Sequence, residues 1–159
     1  MTSTAASVSA SASAAAPLAD ARALGLAHYA ARGVLEHLLA RHGITFQQQI
    51  VLRAAVTAEA PQTVEDLIDR VHGSLKADPA DVRATVDALL AEELLLVADG
   101  GRILPTDAGR GLLAAVGAET APVTARIWGG IPAEDLAAAG RVLALVAERA
   151  NAELAARTA

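Results

Sequence analysis

The chain has 159 residues, a formal net charge of −5 and no cysteine; apolar residues make up 53% of it and aromatic residues 2%. That length suits one compact domain with helical extensions. The missing cysteines exclude a disulfide framework, a thiol nucleophile and a thiolate zinc site. The acidic balance exerts no global pull on nucleic acid or on an anionic membrane.

Alanine and leucine dominate, which favours helix, because both lose little side-chain entropy there. Tyr29, Phe46 and Trp128 supply every Phe, Tyr and Trp ring, so the core must be built from Leu, Val, Ile and Ala. No run of about eighteen apolar residues is free of charge, so no membrane span is expected. Residues 1–16 are rich in Ala, Ser and Thr and carry no Lys or Arg. They lack the basic start and long apolar stretch of a secretory signal. They are expected to form a disordered tail on a cytoplasmic protein.

A first helix is expected over residues 17–41. Pro17 suits a helix start, and Leu24, Ala27, Ala31, Leu35 and Leu38 recur at threes and fours. His42-Gly43 ends it, with Gly43 free to take a left-handed cap. So long a leading helix suits packing on something outside its own domain. Thr45 followed by Gln48 is a capping-box pattern that opens a second helix through Ile50, Leu52 and Val56, ending before Pro61. A third, short helix starts at Thr63, buries Val64, Leu67, Ile68 and Val71, and is expected to break at His72-Gly73-Ser74.

Asp78-Pro79-Ala80-Asp81 is the clearest start, with an Asp cap, Pro in the first turn and an acid behind it. Val82, Val86, Leu89 and Leu90 form the apolar stripe of this fourth helix. The period then changes. Leu94-Leu95-Leu96-Val97-Ala98, a turn at Asp99-Gly100-Gly101, and Arg102-Ile103-Leu104-Pro105 read as a small β-hairpin and the only sheet. Thr106 caps a fifth helix that carries Leu112, Leu113 and Val116 and continues past a kink at Pro122 to Ile127 and Trp128. Gly129-Gly130 ends it. Pro132 opens the last helix, where Leu136, Ala139, Leu143, Val146, Ala150 and Leu154 form a short heptad-like seam suited to another helix. There is no internal repeat.

The middle of the chain has the element order of a winged helix: a helix-turn-helix followed by a hairpin wing. With Gly43-Ile44-Thr45 entering the second helix, Val82-Arg83-Ala84-Thr85-Val86-Asp87-Ala88-Leu89 in the recognition position, Leu104-Pro105-Thr106-Asp107-Ala108-Gly109-Arg110 after the wing and Ile131-Pro132-Ala133-Glu134-Asp135-Leu136 before the last helix, the sequence resembles the MarR family of bacterial transcription regulators. The resemblance spans about Leu24 to Leu154. It implies a mainly α fold: a winged helix-turn-helix with a two-stranded β-hairpin wing and long terminal dimerisation helices. The divisions are then a tail (1–16), an N-terminal dimerisation helix (17–44), the winged helix-turn-helix (45–105) and C-terminal dimerisation helices (106–159). The resemblance also implies a homodimer, a small-molecule effector bound between the dimer region and the winged helix, and a double-stranded DNA operator with an inverted repeat.

Two departures stand out. The wing tip is short, Asp99-Gly100-Gly101-Arg102, with a single Arg. Residues 62–110 hold five Lys and Arg against ten Asp and Glu, a balance as negative as that of the whole chain. Nonspecific DNA affinity comes largely from cations neutralising phosphates, so a reading module of this charge must gather its few cations on one face.

The DNA-contact candidates follow from position. Arg83 lies in the first turns of the recognition-like helix, where base edges or phosphates are met; the bland alternative is a solvated pair with Asp87 one turn on. Arg102 could enter a minor groove, or could guard a sheet edge. Ser74 and Lys76 precede the helix and could hold phosphate, and Thr85 could meet a thymine methyl.

For the effector, the resemblance implies a cavity among the first, second and fifth helices. His28, Tyr29, Phe46 and Trp128 could stack on a planar aromatic ligand, with Arg53 meeting a carboxylate. The alternative makes Phe46 a staple at a helix start and Trp128 a dimer-core residue.

No Ser-His-Asp set, phosphate-cradling glycine loop or His-Glu-x-x-His pattern is present. No catalytic residue, metal or cofactor is expected. Two functions stay open: a dimeric, ligand-responsive DNA-binding regulator, and a winged-helix scaffold without DNA binding, repurposed for small-molecule binding or for catalysis in the inter-domain cavity.

Overall fold

Local capping sets most of the helix boundaries in the computed structural model, which describes residues 18–158. The tail 1–16 and the helix start at Pro17 lie outside the described residues. Helix α1 spans Ala21–Arg41 and begins later than Pro17 implied. Its cap is Asp20, whose Oδ1 accepts the Ala23 N–H at 2.8 Å, and this satisfies an otherwise orphaned first-turn donor. At the other end Gly43 takes φ +71°. Ile44 N–H then reaches the Leu39 carbonyl, and Gly43 N–H that of Ala40. This is a Schellman cap, with Ile44 packed back on Leu39.

Helix α2 (Phe46–Val56) opens on the expected capping box. Thr45 Oγ1 accepts from Gln48 N–H at 3.1 Å, and Gln48 Oε1 accepts from Thr45 N–H at 2.8 Å. A second box, Thr63 with Asp66, opens α3 (Val64–Leu75). This helix does not break at His72-Gly73-Ser74. It runs through them, because Ser74 Oγ donates to the Val71 carbonyl and Leu75 packs on the core. Lys76 ends it in the left-handed region. Helix α4 (Pro79–Ala91) starts as its Asp-Pro signal predicts, with Asp78 Oδ1 accepting the Ala80 N–H.

The hairpin forms from β2 (Leu95–Ala98) and β3 (Arg102–Pro105). It is not a sheet by itself. A two-residue strand, β1 (Gln62–Thr63), pairs antiparallel with β3, Gln62 opposite Ile103 and Thr63 opposite Arg102, giving the order β1-β3-β2. Helix α5 (Asp107–Trp128) is unbroken at Pro122, and α6 (Ala133–Thr158) closes the described chain.

The winged helix owns the main core: Val51, Leu52 and Ala55 of α2, Leu67, Ile68 and Val71 of α3, Val82, Val86 and Leu89 of α4, and Leu95 and Ile103 of the hairpin. Each fully buried Leu or Ile there contributes roughly 1.5–3 kcal/mol of transfer free energy. A smaller cluster, Leu39, Ile44 and Val116 with Leu35, Phe46 and Leu112 against it, ties α1 and α5 to this body. Arg41 and His42 at the end of α1 reach Glu119 of α5 at 3.3 and 3.4 Å. Among the described residues, α6 makes no extensive contact with the rest of its own chain.

Candidate nucleic-acid interface and inter-helix cleft

The buried stripe of α4 (Val82, Val86, Leu89) fixes which side faces out: Ala80, Arg83, Ala84 and Asp87 are exposed. Arg83 is therefore presented as the sequence expects. Its partner is not Asp87, however. Arg83 Nη2 donates to Glu65 Oε1 of α3 at 3.1 Å. The Glu65 carboxyl is held below its ordinary range by a hydrogen bond from its own backbone N–H, and next by Arg83. Thr85 turns from the exposed stripe; its hydroxyl donates to the Asp81 carbonyl, and it lines a shallow cleft with Thr45, Gln47 and Gln48 of α2.

The other three DNA-contact candidates are spread around the module. Lys76 Nζ donates to the Gly73 carbonyl at 2.6 Å. Ser74 sits inside the last turn of α3 rather than in a loop before α4. Arg102 lies at the start of β3, opposite Thr63, and its Nη1 donates to the Pro61 carbonyl at 3.1 Å. Its charge also adds to the attraction that keeps Asp66 ionised, although the Thr63 backbone N–H and hydroxyl are the larger causes of that lowered pKa. Arg70 and Arg110 bond the Ala54 and Pro105 carbonyls. Every Lys and Arg of residues 62–110 thus has a protein acceptor.

The five effector candidates do not converge. His28 and Tyr29 meet edge to face at 5.5 Å, but Tyr29 is 71% exposed. Phe46 lies under the Arg32 guanidinium, 4.6 Å from its ring centre, and packs against the smaller core cluster, as a helix-start staple does. Arg53 is exposed on α2. Of the five, Trp128 alone lines the large cleft of about 620 Å³ between α1 and α5.

Ala27, Ala31, Val34 and Leu38 form one wall of that cleft, and Val123, Ile127 and Trp128 part of the other. Besides the Trp128 indole N–H, Thr120 and Thr124 supply its only polar side-chain groups, and Thr120 Oγ1 is already bonded to the Val116 carbonyl. The signal for the α1 wall was present in the sequence, as small and apolar residues three and four apart. Among the described residues no group of three His, Asp or Glu could hold a metal ion, and no helix is long and apolar enough to cross a membrane.

No protein-family model matches this sequence, and no curated protein matches it either. Solved structures do. Staphylococcus aureus MarR in complex with salicylate and kanamycin superposes with a TM-score of 0.72 at 16% identity, covering 83% of this chain and 90% of that one. CouR from Rhodococcus jostii RHA1, bound to p-coumaroyl-CoA, gives 0.65 at 21% identity over 79% and 88%. Sco5413, a MarR family transcriptional regulator from Streptomyces coelicolor, gives 0.66 at 19% identity over 82% and 91%. The fold is therefore the winged helix of MarR family regulators, with their flanking long helices.

Proposed function

We propose that the chain is a homodimeric DNA-binding transcription regulator whose hold on an inverted-repeat operator responds to a small apolar ligand. One observation carries the reading: the long helices outside the winged helix display apolar faces that their own chain leaves uncovered. Leu24, Leu26 and Val34 of α1, Ile127 and Trp128 of α5, and Val142, Leu143, Leu145 and Val146 of α6 are all exposed. A second copy buries them. Pairing then brings two α4 helices to one side. To read an inverted repeat their tips must lie about 34 Å apart, one turn of DNA.

The effector enters by differential binding. The α1–α5 cleft borders the proposed dimer faces, so a ligand wedged there favours one spacing of the two reading heads over another. Salicylate and p-coumaroyl-CoA are held by the similar structures of the Staphylococcus aureus and Rhodococcus proteins. In this chain the cleft offers the Trp128 ring and no charged side chain, which favours an uncharged aromatic or aliphatic molecule. A soluble, cytoplasmic setting fits this role.

The second reading, a winged helix that binds no duplex, is favoured by the electrostatics. Ten acids outnumber five cations over residues 62–110, and each of those cations is bonded within the protein. A salt-series gel shift on the promoter region of the protein's own gene decides between the two. Retardation that weakens steeply with salt supports the regulator. No retardation at low salt, with the dimer intact by sedimentation, leaves the scaffold.

A further inference from the structure

The wing has an open side. Strand β2, like β1, is an edge of the sheet, so one row of its backbone N–H and C=O groups has no ladder partner. Natural proteins blunt such edges with Lys, Pro, bulges or a covering element. Apart from its shortness, four residues, Leu95–Ala98 has none of these: it is uncharged along its length, and Leu96 and Val97 are 41% and 55% exposed. The edge borders an open cleft between the end of α4, β2 and the start of α5. Leu90, Leu96 and Val97 supply its apolar surface, and Glu92, Glu93 and Asp107 are its only charged residues.

That sign selects the occupant. A phosphate backbone is repelled by the three carboxylates. In an antiparallel pair of two β2 edges, the Glu93 and Asp107 end of one copy would face the Asp99 end of the other, again acid to acid. An extended segment carrying Lys or Arg satisfies both features at once, its main chain continuing the ladder and its cations meeting the rim. We propose that the β2 edge is a docking site for a basic, extended segment of another protein, which adds to the wing as a further strand. The inference is independent of whether α4 reads DNA.

The test uses the full chain and two synthetic hexapeptides, one alternating Lys with Val and one alternating Glu with Val. Binding is followed by calorimetry and by hydrogen exchange of the β2 amides. The Lys-Val peptide is expected to bind saturably and to slow exchange within Leu95–Ala98, while the Glu-Val peptide does neither. Glu93→Lys with Asp107→Asn should weaken binding about tenfold, the effect of removing two rim charge pairs. Val97→Pro should abolish it by deleting a ladder donor; if that variant fails to fold, the charge variant still reports. Equal binding of both peptides, indifference to the charge variant, or protection outside β2 would overturn the proposal. So would sedimentation showing an edge-to-edge assembly of the chain that Val97→Pro dissolves, since the occupant would then be a second copy.

Discussion

Gly109, in the first turn of α5, lies so close to the Leu94 carbonyl that a Cβ at its position would collide with that oxygen and crowd the Leu52 side chain. The same carbonyl accepts the Thr106 N–H, and the Thr106 hydroxyl donates to the Glu93 carbonyl at 2.8 Å while accepting Gly109 N–H at 3.0 Å. The Thr-x-x-Gly of the family-like stretch is therefore a joint between the base of the wing and α5. Gly109→Ala should cost about 1–3 kcal/mol by overpacking, read as a lower urea midpoint at unchanged slope. A wild-type midpoint would mean that the joint is slack.

Glu93 is a left-handed residue, φ +56°, in a Schellman turn closed by Leu94 N–H on the Leu89 carbonyl and Glu93 N–H on that of Leu90. Glycine has no steric penalty there. Glu93→Gly is expected to stabilise the fold by about 0.5–1 kcal/mol in equilibrium denaturation, and Glu93→Val to destabilise it.

Asp66 is held ionised first by the Thr63 backbone N–H and then by the Thr63 hydroxyl, at 3.0 and 2.8 Å. Its folded pKa is lowered, so the unfolded chain takes up the proton more readily. The contribution is therefore complete above the unfolded value, near pH 4. It fades as pH falls through the lower folded value. Asp66→Asn should flatten the acid side of the stability–pH curve without altering its slope near neutrality. An unchanged acid limb would show that the box does not hold in solution.

Arg83 must leave Glu65 to meet a duplex. If α4 reads DNA, Glu65→Gln should tighten operator binding several-fold by freeing the guanidinium and removing a negative charge near the phosphates. Arg83→Ala should erase sequence preference with the dimer intact. Both are read by fluorescence anisotropy at fixed salt.

Leu143 and Val146 lie on the uncovered face of α6. Leu143→Asp with Val146→Asp should convert a dimer to monomer in sedimentation. The single tryptophan, Trp128, reports the same event, because it is 54% exposed in the lone chain and its emission should shift red on dissociation.

What was legible in the sequence was local. Thr45 with Gln48, Asp78 with Pro79, and Gly43 after His42 act within a few residues, and each marks an element boundary in the structure. What was missed depends on contacts across the chain. Strand β1 is too short to show a period and exists because Ile103 and Arg102 pair with it. Glu65 is far from Arg83 in sequence and beside it only once α3 and α4 pack. The break expected at His72-Gly73-Ser74 does not form, because Leu75 beyond it packs on the core. The five ring-pocket candidates lie on three helices, and only the packing of those helices decides which of them share a space: Trp128 lines the α1–α5 cleft, Phe46 packs on the smaller core and Tyr29 is exposed.

Helix α6 has a consequence for how the molecule melts. Its own chain gives it little lateral support, and in proteins most helical stability comes from packing an apolar face and not from propensity. In the proposed assembly its order is borrowed from the other copy, so thermal unfolding becomes a mass-action event. Dilution should lower the melting temperature, and a cell holding few copies would hold the protein partly unwound at this end.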